Sequence, residues 1–385
     1  MSHTPFKKLL CAALCLLTLT SCGGGEVEET TTAMTEQTTT AVTEITTPAP
    51  ELSQFIITRP DDQDEYVTLM NSLRASIKRM SGIELTPASD LVIPNRAEPE
   101  FEILLGETRR DLSAELYESL PLGGYAVVYR DGKIAIAGRG DEPLRAAVDY
   151  FMEHYFVDRT FTIPEQTDFR AEYPYEQFYD VLVGKSINVM GDSYVSAGSL
   201  EDGKIWPQLL AEKYEMNYRS YGKGGNAIGS TAASGTPMVT RYREMRGGVD
   251  IVFVIGGRND YNQDFPIGQL GDTTKDTFYG AMSLLIDGLR EKYPDSLILF
   301  STSWYVNNDM KAYTDATLAV CEAKGIPCFH AADQKLSGVY MDQSGFRATY
   351  CIKPSDVSHL NAEGMRLVLP KFEKFIAEEA EKFFK

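Results

Sequence analysis

The chain has 385 residues, long enough for two or three domains, and 43% of them are hydrophobic, enough apolar material for sizeable cores. Acidic residues outnumber Lys and Arg by 55 to 37, a formal net charge of −18, and no Lys/Arg-rich run offsets it. That balance excludes nucleic acid and anionic lipid surfaces as electrostatic partners, because both repel an acidic chain.

The first element is an address. Lys7 and Lys8 precede an apolar stretch from Leu9 to Leu19, too short to span a bilayer and suited to a signal-peptide core. It runs into Leu19-Thr20-Ser21-Cys22 and three glycines, which resembles a bacterial lipobox. The resemblance implies that residues 1–22 are a lipoprotein signal, cleaved so that a lipidated Cys22 anchors an extracytoplasmic protein to the membrane. Residues 23–50 are dominated by Thr and Glu without apolar periodicity and are expected to be a disordered tether reaching roughly 30 Å. With Cys11 and Cys15 in the signal and Cys22 lipidated, Cys321, Cys328 and Cys351 remain. They permit one disulfide and a free thiol, or three buried thiols; their spacing fits no zinc pattern, and buried thiols are preferred.

Residues 51–178 are expected to form a small α/β accessory domain. Phe55-Ile56-Ile57 suits a strand, and Tyr66, Met70, Leu73, Ile77 and Met80 recur at helical spacing. Phe101–Leu105 suits a buried strand ending at Gly106. Tyr125–Tyr129 and Ile134–Ile136 flank Asp131-Gly132, a strong hairpin signal, and a helix over Glu142–Tyr155 follows. The run from Glu102 to Arg109, the hairpin and the helix together resemble the non-catalytic N-terminal domain of β-hexosaminidases and α-glucuronidases. Nothing chemical is concentrated here, and packing or solvation accounts for the lone His154.

From residue 179 to 385, strands alternate with helices, as a parallel doubly wound sheet requires. The expected strands are Ser186–Met190, Met216–Tyr221, Asp250–Ile255, Leu297–Ser301 and Ile326–His330, with helices near 206–214, 277–293, 313–324 and 360–384. Trp206 is expected in the core. Ligands of such sheets bind beyond the carboxyl ends of the strands, so functional motifs belong directly after strands.

Four motifs stand where that rule puts them. Gly191-Asp192-Ser193 follows the first strand, where a serine on a tight turn presents its Oγ to the crevice. Alone the triplet is also an ordinary turn. Gly222-Lys223-Gly224-Gly225-Asn226 follows the second strand, and glycines there let backbone N–H groups serve as anion donors. After the third comes Gly256-Gly257-Arg258-Asn259-Asp260, where an asparagine amide can face a developing oxyanion and the Asn-Asp pair also forms turns. Near the C-terminus, Asp356-Val357-Ser358-His359 lets a carboxylate take the imidazole Nδ1–H and leaves Nε2 as a base.

Taken in order, these blocks resemble the SGNH (GDSL-type) hydrolase superfamily over residues 186–385. The resemblance implies a three-layer αβα, flavodoxin-like parallel sheet and no metal or cofactor. It implies Ser193 as nucleophile, His359 as general base and acid, and Asp356 as its orienting group, with the Ser193 and Gly225 N–H groups and the Asn259 side chain as oxyanion donors. Gly225 is preferred to Gly224 from the spacing of that block. Ser220 stands where family members often carry Asn, and Arg258 where a small residue or Thr is usual. Activity is expected to fall at low pH, as the imidazole takes up a proton and stops acting as base.

Tyr194, Arg258, Tyr261, Trp304 and the neighbouring Tyr305 are candidate substrate contacts, the aromatics by stacking on sugar rings. The substrate expected is an ester, foremost an O-acetylated cell-wall or plant polysaccharide. The alternatives are a lipid or short-chain acyl ester, and a non-catalytic carbohydrate-binding surface lipoprotein that retains the fold.

Overall fold

The computed structural model describes residues 50–385 apart from 64–65, 94–96, 201–202, 232–234 and 305–307. The signal, Cys22, nearly all of the tether and Tyr305 lie outside the described residues.

The N-terminal region builds a mixed sheet from β1 (Ile56–Arg59), β2 (Thr86–Ser89), β3 (Glu102–Leu105), β4 (Gly124–Arg130), β5 (Lys133–Gly138) and β8 (Asp168–Glu172); β6 (Phe156–Val157) and β7 (Thr160–Phe161) pair separately. Its order is β2-β1-β3-β5-β4-β8. The first four are mutually parallel, while β4 runs antiparallel to β5 and β8. The Asp131-Gly132 turn has positive φ at both residues, as a tight hairpin requires. Helices α1 (Tyr66–Ser81) and α3 (Asp141–Tyr155) cover one face through Leu73, Ile77, Leu144 and Phe151. The shorter α2 (Asp111–Ser119) covers the other with Leu116.

The C-terminal region supplies five strands, β9 (Ser186–Gly191), β10 (Asn217–Gly222), β11 (Ile251–Gly256), β12 (Leu297–Thr302) and β13 (Cys328–Phe329). All are parallel, in the order β10-β9-β11-β12-β13. The strands β11 and β12 are buried along their whole length, and Ile251–Ile255 and Leu297–Phe300 read as continuous apolar runs, which two covered faces demand. Side chains alternate between the layers: Ile251, Phe253 and Ile255 pack beneath α4 (Trp206–Lys213) and α11 (Ala362–Phe384), with Trp206 at the centre. Val252 and Val254 face α7 (Phe278–Lys292) and α8 (Lys311–Lys324) across the sheet. Four short helices complete the order: α5 (Met238–Arg241), α6 (Arg258–Asn262), α9 (Gln334–Ser337) and α10 (Ser344–Tyr350). The result is the three-layer αβα arrangement expected, preceded by the smaller α/β layer. Chain order reverses between β9 and β11, which opens a crevice at their carboxyl ends.

Cys321, Cys328 and Cys351 are free thiols; Cys321 and Cys351 are buried and Cys328 is half-buried. The neighbouring Cys328 side chain, together with burial, pushes the Cys321 thiol well above its ordinary range.

Both sheets belong to one compact unit, Ala49–Lys385. Asp141, at the start of α3, accepts a bidentate pair from Arg366 of α11 at 2.9 and 3.1 Å, and a bond from Arg145 at 2.9 Å. Burial opposes ionisation of Asp141, but the two guanidinium groups outweigh it and hold its carboxyl below the usual range. The pair therefore stabilises the fold fully above the ordinary aspartate range, and less as pH falls through the depressed value. Asp141→Ala is expected to cost about 2–3 kcal/mol at neutral pH. That is less than the ~3–5 kcal/mol of a fully buried pair, because both side chains keep some exposure. Urea unfolding checks it, and a change below about 0.5 kcal/mol, the scale of a surface substitution, counts against the pair as a staple.

Candidate active site

Three motifs converge on the crevice from three strand ends. β9 ends at Gly191, where a Cβ would come within 2.4 Å of Val195 and 2.8 Å of Ile255, so the turn closes this tightly only with glycine. Asp192 then caps a single 3-10 turn, Ser193–Val195, by accepting the Tyr194 N–H at 3.0 Å, and Ser193 stands half-buried at its start. β10 ends at Gly222, against the Val195 carbonyl, and leads into the turn containing Gly225 at φ 73°. β11 ends at Gly256, and Gly257 takes the left-handed conformation (φ 98°) that turns the chain into α6 with Asn259 in its first turn.

The fourth motif is placed by the loop before α11. A bridge between Cys351 and Leu360 closes this loop, and the Ile352 N–H donates to the His359 carbonyl. Asn361 caps α11 through Gly364 and ties back to Thr349 and Cys351. Within the loop, Asp356 Oδ1 accepts the N–H groups of Ser358 (2.8 Å) and His359 (2.9 Å). Its Oδ2 lies 3.0 Å from His359 Nδ1. His359 Nε2 in turn lies 2.9 Å from Ser193 Oγ. Burial opposes ionisation of Asp356, but the two backbone N–H groups and the imidazole override it and hold the carboxyl below its usual range. An anionic Asp356 facing Nδ1 selects the tautomer that presents a bare Nε2 to the serine hydroxyl.

Neither the Ser193 nor the Gly225 N–H donates to a protein acceptor among the described residues. Backbone donors rarely stay unpaired unless water or a ligand takes them, so both suit an anion. The Asn259 amide is placed beside them but is engaged: Nδ2 donates to the Asn226 carbonyl at 3.0 Å and to Asp192 Oδ2 at 3.3 Å.

Two of the expected substrate contacts are corrected. Tyr194 and Trp304 are 1% and 0% exposed and stack on each other with centroids 4.1 Å apart. They form the floor beneath the histidine loop: Tyr194 meets the His359 ring edge-on at 6.3 Å, and Trp304 Nε1 donates to the Ser358 carbonyl at 2.7 Å. Neither has a face left for a sugar. Arg258 and Tyr261 are half-buried, and the guanidinium sits 5.4 Å from the Tyr261 ring centroid. Arg258 Nε and Nη1 are buried without a hydrogen-bond partner among the described residues.

Sequence reasoning treated the acidic residues of two motifs as turn formers, whereas both organise the site. Asp260 is fully buried and accepts the N–H groups of Ile228, Gly229 and Ser230 at 2.8, 2.8 and 3.2 Å, which ties the Gly225 loop to α6. Asp192 is equally buried beneath Asn259; burial above all, with repulsion from Asp260, pushes its carboxyl up to about 7. Asn226 holds the same loop through the Thr236 carbonyl and Arg241. The usable signal was position, since each acid adjoins a site residue in a motif at a strand end.

No curated protein matches the chain. Solved structures resemble about half of it. A protein from Lactobacillus plantarum is 25% identical with a TM-score of 0.46, covering 51% of this chain and 98% of its own. A protein from Bacteroides ovatus provisionally described as a GDSL-like lipase is 20% identical, with a TM-score of 0.40 over 50% of this chain and 98% of its own. A catalytic mutant of an acetylxylan esterase from Geobacillus stearothermophilus is 16% identical, with a TM-score of 0.37 over 50% and 94%. The model of the GDSL-like lipase/acylhydrolase family matches residues 189–367, a span that begins in β9 and takes in all four motifs. The C-terminal region of this chain therefore carries a domain of the GDSL-like lipase/acylhydrolase family.

Proposed function

We propose that the protein is a serine esterase that removes O-acetyl groups from a polysaccharide through an acyl-enzyme on Ser193. The observation that carries the chemistry is the chain of contacts from Ser193 Oγ to His359 Nε2 (2.9 Å) and from Nδ1 to Asp356 Oδ2 (3.0 Å). His359 takes the serine proton as Oγ attacks the ester carbonyl, then returns it to the leaving alkoxide. The oxyanion rests on the Ser193 and Gly225 N–H groups, with the Asn259 amide as third donor once its longer contact to Asp192 yields. Water then attacks the acyl-enzyme with His359 again as base. Half-buried Arg258, next to Asn259 and with its guanidinium beside the Tyr261 ring, puts a charged group at this end of the sheet, which favours a polar glycan over an aliphatic acyl chain. The lipobox around Cys22 adds a setting for this activity outside the cell, at the membrane surface.

Acetate release from acetylated xylan, mannan, pectin and peptidoglycan, with long-chain esters as controls, tests the substrate class. The expected result is turnover of at least one acetylated glycan above the long-chain esters, and the acidic pectin arm probes Arg258. Preference for long-chain esters supports the lipid acyl hydrolase instead. Release from neither class, nor from 4-nitrophenyl acetate, supports a glycan-binding surface lipoprotein.

Asn259→Ala removes one oxyanion donor and leaves the triad in place. Its kcat is expected to fall about 10²–10³-fold at little change in KM, the usual loss for one such donor. Steady-state kinetics with 4-nitrophenyl acetate read this directly, and a melting curve separates it from unfolding.

A further inference from the structure

A second cavity, of about 680 Å³, lies between the two sheets, within the size range of sites that take small ligands. One wall is the carboxyl edge of the N-terminal parallel strands: Glu107 just past β3, Arg139 just past β5, with Tyr66 of α1 and Tyr117 of α2. The other wall is α4, Tyr218 of the edge strand β10, and the first turn of α11. In α/β sheets the carboxyl edge of parallel strands is where ligands seat, so this edge is a binding position in its own right.

The lining decides the chemistry. Its cations are already matched: Arg139 with Glu215, Arg366 and Arg145 both with Asp141, and Lys204 with Glu212 at 2.6 Å. An anionic ligand therefore gains no net attraction. Tyrosine rings and paired charges also make poor company for an acyl chain. Hydrogen-bonding capacity is left over, however. The exposed Glu107 carboxylate and the half-buried Tyr117 hydroxyl make no hydrogen bond among the described residues, so an acceptor and a donor are open to a ligand. The Arg139 guanidinium lies 5.9 Å from the Tyr117 ring centroid, so donor, acceptor and aromatic surface stand together. Aromatic faces beside charged donors and acceptors of both kinds suit a neutral, hydroxyl-rich ring.

The cleft also reaches the helix that follows the histidine loop. It reaches Ala362 and Glu363, three and four residues past His359, and Gly203 packs against Ala362 there. We infer that this cleft is a subsite for unacetylated stretches of the polysaccharide, holding the chain by neutral sugar rings while Ser193 works on a neighbouring acetate. The inference rests on the glycan esterase reading above. It gives the N-terminal sheet a role in substrate capture.

The test uses the full chain carrying Ser193→Ala, with unacetylated xylotetraose, mannotetraose and cellotetraose as probes in calorimetric titration. Ser72 lies exposed on α1 at the cleft, so Ser72→Trp fills the cavity without touching the core, and Glu107→Ala removes a free acceptor. At least one tetraose is expected to bind, and each substitution to weaken it about tenfold or more, the scale of a lost hydrogen bond to a charged group. In the otherwise active enzyme both are expected to raise KM for the acetylated polymer while kcat and 4-nitrophenyl acetate hydrolysis stay unchanged. Binding of no tetraose, or binding unaltered by both substitutions, overturns the subsite. Sugar binding without acetate release leaves the cleft standing and removes the esterase reading. Acetate release at unaltered KM in both variants does the reverse.

Discussion

Replacing Ser193 by alanine is expected to lower kcat for any ester substrate by at least about 10⁴-fold, with KM and thermal stability close to the parent. The side chain is half-buried on a one-turn 3-10 helix, and its hydroxyl contributes the single contact to His359 Nε2. Alanine removes that contact and the proposed nucleophile together. The turn survives, because Asp192 still accepts the Tyr194 N–H and Gly191 still sits between Val195 and Ile255. The Ser193 N–H also survives as an oxyanion donor, so some acceleration over water is expected to persist from the remaining site. Covalent phosphonylation, with fluoride as leaving group, gives a second reading. A fluorophosphonate label attaches to the parent at Ser193 and leaves Ser193→Ala unlabelled, whereas labelling at another residue or a rate within tenfold of the parent moves the nucleophile elsewhere.

Much of this site could be read from the chain because a parallel doubly wound sheet places function by rule. Ser186–Met190, Asp250–Ile255 and Leu297–Ser301 are dense apolar runs, and each reappears in β9, β11 and β12 within a residue. The motifs following the first two consequently fall at the crevice. Elements without an apolar run were harder to see. β8 alternates between exposed and half-exposed residues, β2 contains a proline on an edge, and neither announces itself by pattern. The last parallel strand, expected over Ile326–His330, pairs only at Cys328 and Phe329, since an edge strand has one neighbour to set its length. Tyr194 and Trp304 were misjudged for a different reason. Proximity in sequence to Ser193 says nothing about which way a ring turns, and here the rings turn inward to carry the histidine loop. The engagement of the Asn259 amide by Asp192 and Asn226 is likewise a property of three loops meeting, which spacing along one chain does not encode.

Asp356→Asn isolates what the carboxylate does beyond shaping its loop. In the parent, Oδ1 accepts the Ser358 and His359 N–H groups while Oδ2 faces His359 Nδ1. An asparagine can keep both backbone bonds through its single oxygen, so the loop and the 2.9 Å approach of Nε2 to Ser193 are expected to persist. The group facing Nδ1 then becomes an NH₂ donor. The imidazole must present a bare Nδ1 to it, which places the proton on Nε2, the atom that has to receive the serine proton. The wrong tautomer in correct geometry typically costs about 10⁴-fold in kcat, against little change in stability. The pH dependence separates this from a loosened loop. In the parent, the backbone N–H groups and the imidazole hold Asp356 below the usual carboxylate range against the opposing effect of burial. It therefore stays ionised across the neutral and alkaline range, where it keeps the imidazole proton on Nδ1. The asparagine variant is expected to be slow across the neutral and alkaline range alike, because raising pH does not move a proton from Nε2 to Nδ1. Recovery of the parent rate at high pH, or a loss below about tenfold at neutral pH, assigns Asp356 to holding the loop alone.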